Sequence, residues 1–220
     1  MLPSRKTKTM SQQDYKRQLG NSELMVTPIG LGTWQFSKRK NLAGKYWPML
    51  SDEESYHIVQ TTYNNGVNWF DTAEMYGNGE SERTLARALH SANISNDQAI
   101  VATKWMPVFR RAHSIKKTIA QRIEALDGYT ISLHQVHNPL SFSGIPAQMK
   151  AMAELVKDKK IRYVGVSNFS ASQMRKAHAE LAKHGIQLTS NQVHYNMVNR
   201  KIEFNGVLEA ARELNIAIIA

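Results

Sequence analysis

The stretch IRYVGVSNFSASQMRKAHAELAKHG, residues 161–185, shows the unit from which the chain is built. Residues 161–166 are rich in apolar and β-branched side chains, which indicates a buried strand. Ser170-Ala171-Ser172-Gln173 follows with the spacing of a capping box, in which the serine hydroxyl accepts a helical N–H and the glutamine reaches back. We therefore predict a strand followed by a helix that ends at Gly185, which supplies a left-handed stop.

The same alternation extends in both directions along the chain. Apolar runs predict six further strands, at residues 29–33, 67–71, 99–104, 130–137, 187–193 and 216–220. Helix signals between them, including a second capping box at residues 51–54, predict helices at residues 51–65, 80–90, 114–126, 146–157 and 203–214. Seven apolar strands alternating with six helices predict a parallel sheet covered by helices, the α/β class.

Two parallel architectures fit this alternation, the doubly wound sheet and the (β/α)8 TIM-type barrel. The repeat length is steady, and Gly30-Leu31-Gly32 lacks the third glycine of a dinucleotide fingerprint, so we favour the barrel. A closed barrel needs eight strands and about 250 residues. We therefore expect an incomplete barrel that lacks its last strand and two helices, either as a fragment or truncated product or as a genuine seven-strand variant.

The domain prediction is one barrel domain at residues 15–220, preceded by a basic, disordered tail at residues 1–14. The first nine residues have no long apolar stretch and are not a secretory signal. The alternatives to a disordered tail are a weak organelle-targeting segment, and an upstream start codon with Met10 as the true first residue. Within the domain, turn residues 20–23 separate two short extended runs at residues 15–19 and 24–26. This pattern predicts a hairpin that caps the bottom of the barrel.

Composition excludes several classes of protein. With no cysteine among 220 residues, neither a disulfide nor a thiol nucleophile is possible, which fits a cytoplasmic protein. No apolar run approaches the roughly 20 residues that span a bilayer, so we expect no membrane insertion. The net charge of +10 is spread over short separate segments without a nucleic-acid motif, so we expect no nucleic-acid partner. Solvated surface charge explains this balance best, and a phosphate-bearing ligand is the next interpretation.

Polar side chains stand at the predicted carboxyl ends of consecutive strands, where parallel barrels carry their catalytic groups. They are Asp71, Tyr76 in the loop that follows, Lys104, His137, Ser167 with Asn168, and Gln192.

Four of these side chains make a coherent proton donor. A tyrosine has an ordinary pKa near 10, and a nearby ammonium such as Lys104 lowers it. Asp71 would keep Lys104 charged, and His137 would hydrogen-bond a carbonyl or share a proton with Tyr76. Such a set protonates a carbonyl oxygen while a hydride from a nicotinamide attacks the carbon.

Each residue has a simpler alternative when it is taken alone. Asp71 could cap a turn, Lys104 could be a surface charge, and His137 could be a hydrogen-bonded loop residue. The hypothesis depends on their convergence. His134 lies three residues before His137, so we expect it to point towards the helices and to have no catalytic role.

Five motifs resemble those of a known family, the aldo-keto reductases. They are GVNWFDTAEMYG at residues 66–77, VATK at 101–104, QVHNP at 135–139, VGVSNF at 164–169 and NQVHYN at 191–196. The resemblance covers residues 15–220 in order, and it implies a TIM-type barrel that reduces carbonyls with NADPH and without a metal.

The resemblance also implies residue roles. Tyr76 is the general acid, Asp71 and Lys104 tune it, and His137 orients the substrate. The cofactor residues are Gly32, Thr33, Asp71, Ser167, Asn168 and Gln192, and the residues that line the substrate mouth are Trp34, Trp105 and Tyr195. The family's nicotinamide-stacking aromatic and adenosine-phosphate site would follow residue 220, and Asn138 stands where the family often has an aromatic.

The prediction is therefore an NAD(P)H-dependent oxidoreductase that reduces an aldehyde or ketone to an alcohol. Two alternatives are a cofactor-binding, redox-sensing regulatory subunit, like the ion-channel β subunits that resemble this fold, and an inactive truncated fragment. The sequence does not disclose the substrate or the oligomeric state.

Overall fold

Seven parallel strands form the centre of the molecule in the computed structural model, which describes residues 15–38 and 49–220. The strands pair in chain order, each with the next, which is the order of a TIM-type barrel. The sheet curls into an incomplete barrel, as the sequence predicts. Its strands are β3 (Leu31–Gly32), β4 (Trp69–Asp71), β5 (Ile100–Trp105), β6 (Ile131–Val136), β7 (Tyr163–Ser167), β8 (Leu188–Gln192) and β9 (Ala217–Ile219).

Within the described residues, six α-helices alternate with these strands. They are α1 (Asp52–Asn64), α2 (Glu80–Ser91), α3 (His113–Ala125), α4 (Ile145–Lys157), α5 (Ala171–Ala182) and α6 (Val207–Glu213). Only α6 begins well away from its predicted start at residue 203. There, Lys201–Glu203 forms a separate 3-10 turn, and Gly206, with φ of 80°, breaks the chain direction before the α-helix begins.

Both predicted capping boxes are formed. The Ser51 hydroxyl accepts the Glu54 N–H at 3.1 Å, and the Glu54 carboxylate accepts the Ser51 N–H at 2.7 Å. Ser170 and Gln173 make the same reciprocal pair at 3.4 and 2.9 Å. These bonds satisfy helix N–H groups that have no partner within the helix, so each box defines where its helix starts.

The predicted hairpin is present as β1 (Arg17–Gln18) paired antiparallel with β2 (Met25–Val26). It lies at the amino ends of the barrel strands, where Asn68, just before β4, donates its side-chain amide to the Met25 carbonyl at 2.8 Å. Asn21 donates in the same way to the carbonyl of Leu188 in β8, also at 2.8 Å. The residues predicted as a basic tail, 1–14, lie outside the described part of the chain.

The sheet has an apolar layer on each side. The larger layer lies between strands and helices and includes Phe70, Val101, Val136, Val164, Leu85, Ile119 and Met149. The smaller layer lies inside the barrel above the hairpin and comprises Leu19, Leu24, Val26, Trp69, Ala102, Leu133 and Ile219. Side chains that point to the same face of a strand are two residues apart. The inward residues that follow Trp69, Ala102 and Leu133 on β4, β5 and β6 are therefore the polar Asp71, Lys104 and Gln135. In the described ranges, no helix is both long and apolar enough to cross a membrane.

Candidate active site

Lys104 and Asp71 form a buried ion pair at the carboxyl ends of β5 and β4. The ammonium, only 1% exposed as a residue, donates to Asp71 Oδ2 at 2.6 Å and to the Thr72 carbonyl at 2.8 Å. A buried charge needs such partners, since removing an unpaired ammonium from water would cost several kcal/mol. These contacts therefore fix the position of the Lys104 ammonium inside the end of the barrel.

The ring of Tyr76 lies over this ammonium. Lys104 Nζ is 5.2 Å from the ring centroid of Tyr76, whose loop connects β4 to α2. The His137 ring stands nearly perpendicular to the tyrosine, with an interplanar angle of 81° and 5.8 Å between centroids. The structure thus brings Asp71, Tyr76, Lys104 and His137 together, as their positions at strand ends predict.

The pKa of the Tyr76 phenol differs from the sequence-based expectation. We expected Lys104 to lower this pKa below its usual value of about 10. Burial raises the pKa of Tyr76, the nearby Lys104 charge opposes this effect, and Asp71 adds to it, with a net upward shift. The expectation is wrong for the net shift because burial outweighs the ammonium. Tyr76 is therefore protonated throughout the neutral range.

The two histidines of the β6 segment have different surroundings. Burial and the Lys104 charge lower the pKa of His137 to about 4, with Asp71 opposing, so its imidazole is neutral at physiological pH. His137 is half-buried beside Tyr76. His134 is buried on the opposite face, where burial and Arg122 of α3 lower its pKa to about 3. This placement agrees with its expected packing towards the helices.

Three predicted cofactor residues form a polar shelf beside the ion pair. The Ser167 hydroxyl, at the end of β7, donates to the Gln192 carbonyl at 2.9 Å and accepts the Asn168 side-chain amide at 3.0 Å. Asn168 takes a left-handed conformation with φ of 60° and is exposed. Gln192 donates its side-chain amide to Asp71 Oδ2 at 3.2 Å, which joins the shelf to the ion pair.

Gln135 is a site residue that the sequence interpretation missed. Its buried side-chain amide lies 3.4 Å from Asp71 Oδ1 and 3.3 Å from Gln192 Oε1. The signal was present, because Gln135 precedes His137 by two residues and so faces the same way along the strand. Gly165 makes room for it, since a Cβ at Gly165 would lie 2.9 Å from Gln135 Cγ and 2.4 Å from Ser190 Oγ.

The two predicted cofactor residues after β3 differ in their surroundings. The Thr33 hydroxyl is buried, 3.1 Å from the Asp71 carbonyl and 2.9 Å from Ser81 Oγ. It therefore links the end of β3 to β4 and to α2. Gly32 is exposed and has open space beside its Cα. It lines a cleft of about 490 Å³ that also reaches Asp71 and Gln192.

The three aromatic residues predicted at the substrate mouth separate into different environments. The Trp34 ring, 47% exposed, lies 6.4 Å from the Tyr76 ring. Trp105 is 1% exposed and donates its indole N–H to Ser114 of α3 at 3.0 Å, so the prediction for Trp105 is wrong. It follows Lys104 on β5 and must face the helices while the lysine faces inward. Tyr195 packs against the helix-side core and donates its hydroxyl to Glu203 at 2.6 Å.

This arrangement of side chains can be compared with known proteins. The aldo/keto reductase family profile matches residues 28–220. The chain belongs to the aldo/keto reductase family. The match covers every residue of the site described above, and it agrees with the family that the five sequence motifs resemble.

Its curated aldo/keto reductase and oxidoreductase relatives are longer proteins. An uncharacterized oxidoreductase of Mycobacterium tuberculosis is 36% identical over 174 residues, which cover 79% of this chain and 51% of the relative. Aldo-keto reductase YhdN of Bacillus subtilis is 31% identical over 209 residues, which cover 91% of this chain and 59% of the relative. The chain thus spans about half the length of the first curated relatives it matches.

Solved aldo/keto reductase structures share the fold. A thermostable aldo-keto reductase in complex with the inhibitor epalrestat superposes with a TM-score of 0.81 and 26% identity, over 93% of this chain and 71% of that one. A glycerol dehydrogenase from Gluconobacter oxydans superposes with a TM-score of 0.75 and 26% identity, over 95% of this chain and 63% of that one. Within residues 15–38 and 49–220 of this family member, no three His, Cys, Asp or Glu side chains are grouped to hold a metal ion.

Proposed function

We propose that this protein reduces an aldehyde or ketone to an alcohol with NADPH, with Tyr76 as the general acid. The observation that carries the proposal is the Lys104–Asp71 ion pair beneath the Tyr76 ring, with His137 perpendicular to that ring. A buried phenol beside a fixed ammonium can release a proton only when another group takes it. A small-molecule carbonyl at the mouth of the barrel is the acceptor that fits this donor.

The four side chains have different roles at the carbonyl oxygen. Tyr76 gives its proton to that oxygen, and the Lys104 charge stabilises the phenolate left behind. Asp71 holds the Lys104 side chain in place. The neutral imidazole of His137 donates one N–H to the carbonyl oxygen and so orients it. A reduced nicotinamide held by Ser167, Asn168 and Gln192 would supply the two-electron hydride that the carbonyl carbon needs, and the proton from Tyr76 would complete the alcohol.

The polar shelf fits a nicotinamide by the chemistry of its donor set. A carboxamide needs an acceptor for its NH2 group and a donor for its oxygen, and the side chains of Ser167, Asn168 and Gln192 offer both. Exposed Gly32 leaves open space at the edge of a cleft that also reaches Asp71 and Gln192. The choice of NADPH over NADH rests on the resemblance to the family.

The experiment that tests this proposal follows NADPH oxidation by absorbance with a panel of aldehydes and ketones. Tyr76→Phe should reduce turnover by at least about 100-fold, the lower range for a general acid. Tyr15→Phe is the matched control because Tyr15 is 52% exposed and lies in the segment leading to the hairpin. Unchanged turnover in Tyr76→Phe, with the unmodified chain active, would exclude Tyr76 as the proton donor.

A further inference from the structure

Glu74 lies two residues before Tyr76 in the loop formed by residues 72–79, and each of its carboxylate oxygens is occupied. Oε1 accepts the Met106 backbone N–H at 2.6 Å and also pairs with the Arg110 guanidinium. Oε2 accepts from Arg122 Nη1 at 2.9 Å. The Glu74 backbone N–H donates to the Lys104 carbonyl at 3.2 Å. This one residue therefore ties the loop to Lys104 near the end of β5, to Met106 just after β5, and to α3.

A second buried carboxylate continues the network towards the lysine strand. Arg122 Nε lies 2.7 Å from Oε2 of Glu82, a fully buried residue of α2. The other Glu82 oxygen accepts the hydroxyl of Thr103 at 2.5 Å, and Thr103 is the neighbour of Lys104 on β5. Two carboxyl groups and two guanidiniums thus link the loop, α2, α3 and β5. Burial raises the pKa of Glu82 to about 7, so Glu74 is the member of the pair that keeps its negative charge more fully at neutral pH.

Such a network is a costly way to stabilise a fold. The desolvation of buried ions consumes most of their mutual attraction, and apolar side chains of similar volume often stabilise as well or better. An ionic network of this kind favours one geometry, because a displacement that separates Glu74 from its guanidinium partners leaves a buried charge unpaired. Glu74 is two residues from Tyr76, and Thr103 is next to Lys104. The network therefore lies where it can fix the position of Tyr76 relative to Lys104.

The other half of the loop is a tight turn. Gly77, Asn78 and Gly79 all have positive φ, at 69°, 54° and 85°. A Cβ at Gly77 would lie 2.2 Å from the Ser37 carbonyl oxygen, so the chain passes very close to its neighbour there. Tyr76 therefore stands between this turn and the anchored Glu74, and its ring position depends on both.

We propose that Glu74 is a positioning residue that docks loop 72–79 onto the carboxyl end of β5 and so holds Tyr76 over Lys104. This role rests on the proposed function, because Glu74 acts through the general acid and does not touch the substrate. Arg110 and Arg122 are its partners in the role. The chain then needs an anion at residue 74 of the loop, and a neutral side chain of the same shape does not replace it.

The test compares Glu74→Gln with a matched control, Glu154→Gln, which removes the carboxylate that pairs with Lys116 at 2.7 Å on the outer surface. Two quantities are measured, kcat with KM for an aldehyde, and the pKa of the Tyr76 phenol by ultraviolet difference titration against Tyr76→Phe. In Glu74→Gln, kcat should fall about 10- to 100-fold, the effect of a misplacement of about 1 Å, with KM changed less than about threefold. The phenol pKa should fall towards its ordinary value as the ring becomes hydrated. Glu154→Gln should change neither quantity.

The phenol titration separates this inference from the proposed function. If the unmodified chain shows no turnover, or Tyr76→Phe retains it, the proposed function fails, and the phenol pKa in Glu74→Gln still decides the role of Glu74. If Glu74→Gln does not fold, Arg110→Gln replaces it, because this partly exposed partner can be removed while Arg122 stays paired with both carboxylates. A fall in kcat and in the phenol pKa of Arg110→Gln, each smaller than expected for Glu74→Gln, supports the proposal. A variant that loses stability but keeps its kcat and its phenol pKa overturns it.

Discussion

Tyr76 and His137 have pKa values shifted in opposite directions by the same cause. Burial disfavours the charged form of each group, and that form is the phenolate for tyrosine and the imidazolium for histidine. The pKa of Tyr76 therefore moves up and that of His137 moves down. Between the two values neither group changes its protonation state.

The first prediction is that the reduction rate does not depend on pH across the neutral range. With the pKa of His137 at about 4 and that of Tyr76 above its ordinary 10, kcat/KM should be flat from roughly pH 5 to 9. It should fall above this range as Tyr76 loses its proton and below it as His137 gains one. The measurement is kcat/KM against pH at constant ionic strength. An inflection between pH 6 and 8 that persists across substrates would contradict the assigned protonation states.

Residue positions at the site were more predictable than residue environments. The alternation of side chains along a strand places Lys104 inward, and the same rule applied one residue further places Trp105 outward. The prediction that Trp105 lines the mouth did not apply that rule. Applied to β6, the same rule places Gln135 on the face of His137, and this residue was missed. The net pKa shift of Tyr76 could not be read from neighbours in sequence, because it depends on how deeply the ring is buried after folding.

At the scale of elements, the helix starts with capping boxes were predictable because a cap is a local interaction. Each capping box joins two residues that are three positions apart, Ser51 with Glu54 and Ser170 with Gln173. Its bonds therefore form wherever the helix begins. The start of α6 was less predictable. Its sequence from residue 203 has helical character, but Gly206 has a positive φ that only the three-dimensional path of the chain requires.

A cap substitution tests this local view. Ser170→Ala removes the acceptor for the Gln173 N–H and should lower the free energy of unfolding by about 1 kcal/mol. Ser170→Asp keeps an acceptor at the same position and should retain most of the stability. Urea denaturation of the three proteins, followed by circular dichroism, gives the comparison. Equal losses for alanine and aspartate would show that the side-chain cap does not stabilise α5.

At the scale of the whole molecule, the order of the strands was predictable and the attachment of the hairpin was not. Strict strand–helix alternation leaves neighbouring parallel strands as the simplest arrangement, and the sheet follows it from β3 to β9. Turn residues located the hairpin, but its contacts join residues far apart in sequence. The Asn21 side-chain amide donates to the Leu188 carbonyl across 167 residues, and the Glu23 backbone N–H donates to the Tyr163 hydroxyl across 140.

These long-range contacts make the hairpin part of the barrel's cooperative unit. Leu24, 2% exposed, packs in the inner apolar layer with Trp69 of β4 and Ile219 of β9. Leu24→Ala should therefore lower the free energy of unfolding of the whole molecule by about 2–4 kcal/mol. Leu140→Ala, at a site 66% exposed, should change it by less than about 0.5 kcal/mol.

Two probes of the same denaturation series show whether the unit is cooperative. The indole N–H of Trp69 donates to the Thr27 carbonyl at 3.0 Å, so its nuclear magnetic resonance signal reports on the hairpin, while far-ultraviolet circular dichroism reports on the helices. In Leu24→Ala both transitions should shift to lower denaturant together, because the hairpin bonds strands from both halves of the sheet. A hairpin signal that is lost while the helices keep their original midpoint would show that the hairpin is an appendage, and the inner apolar layer would then contribute little to closing the bottom of the barrel.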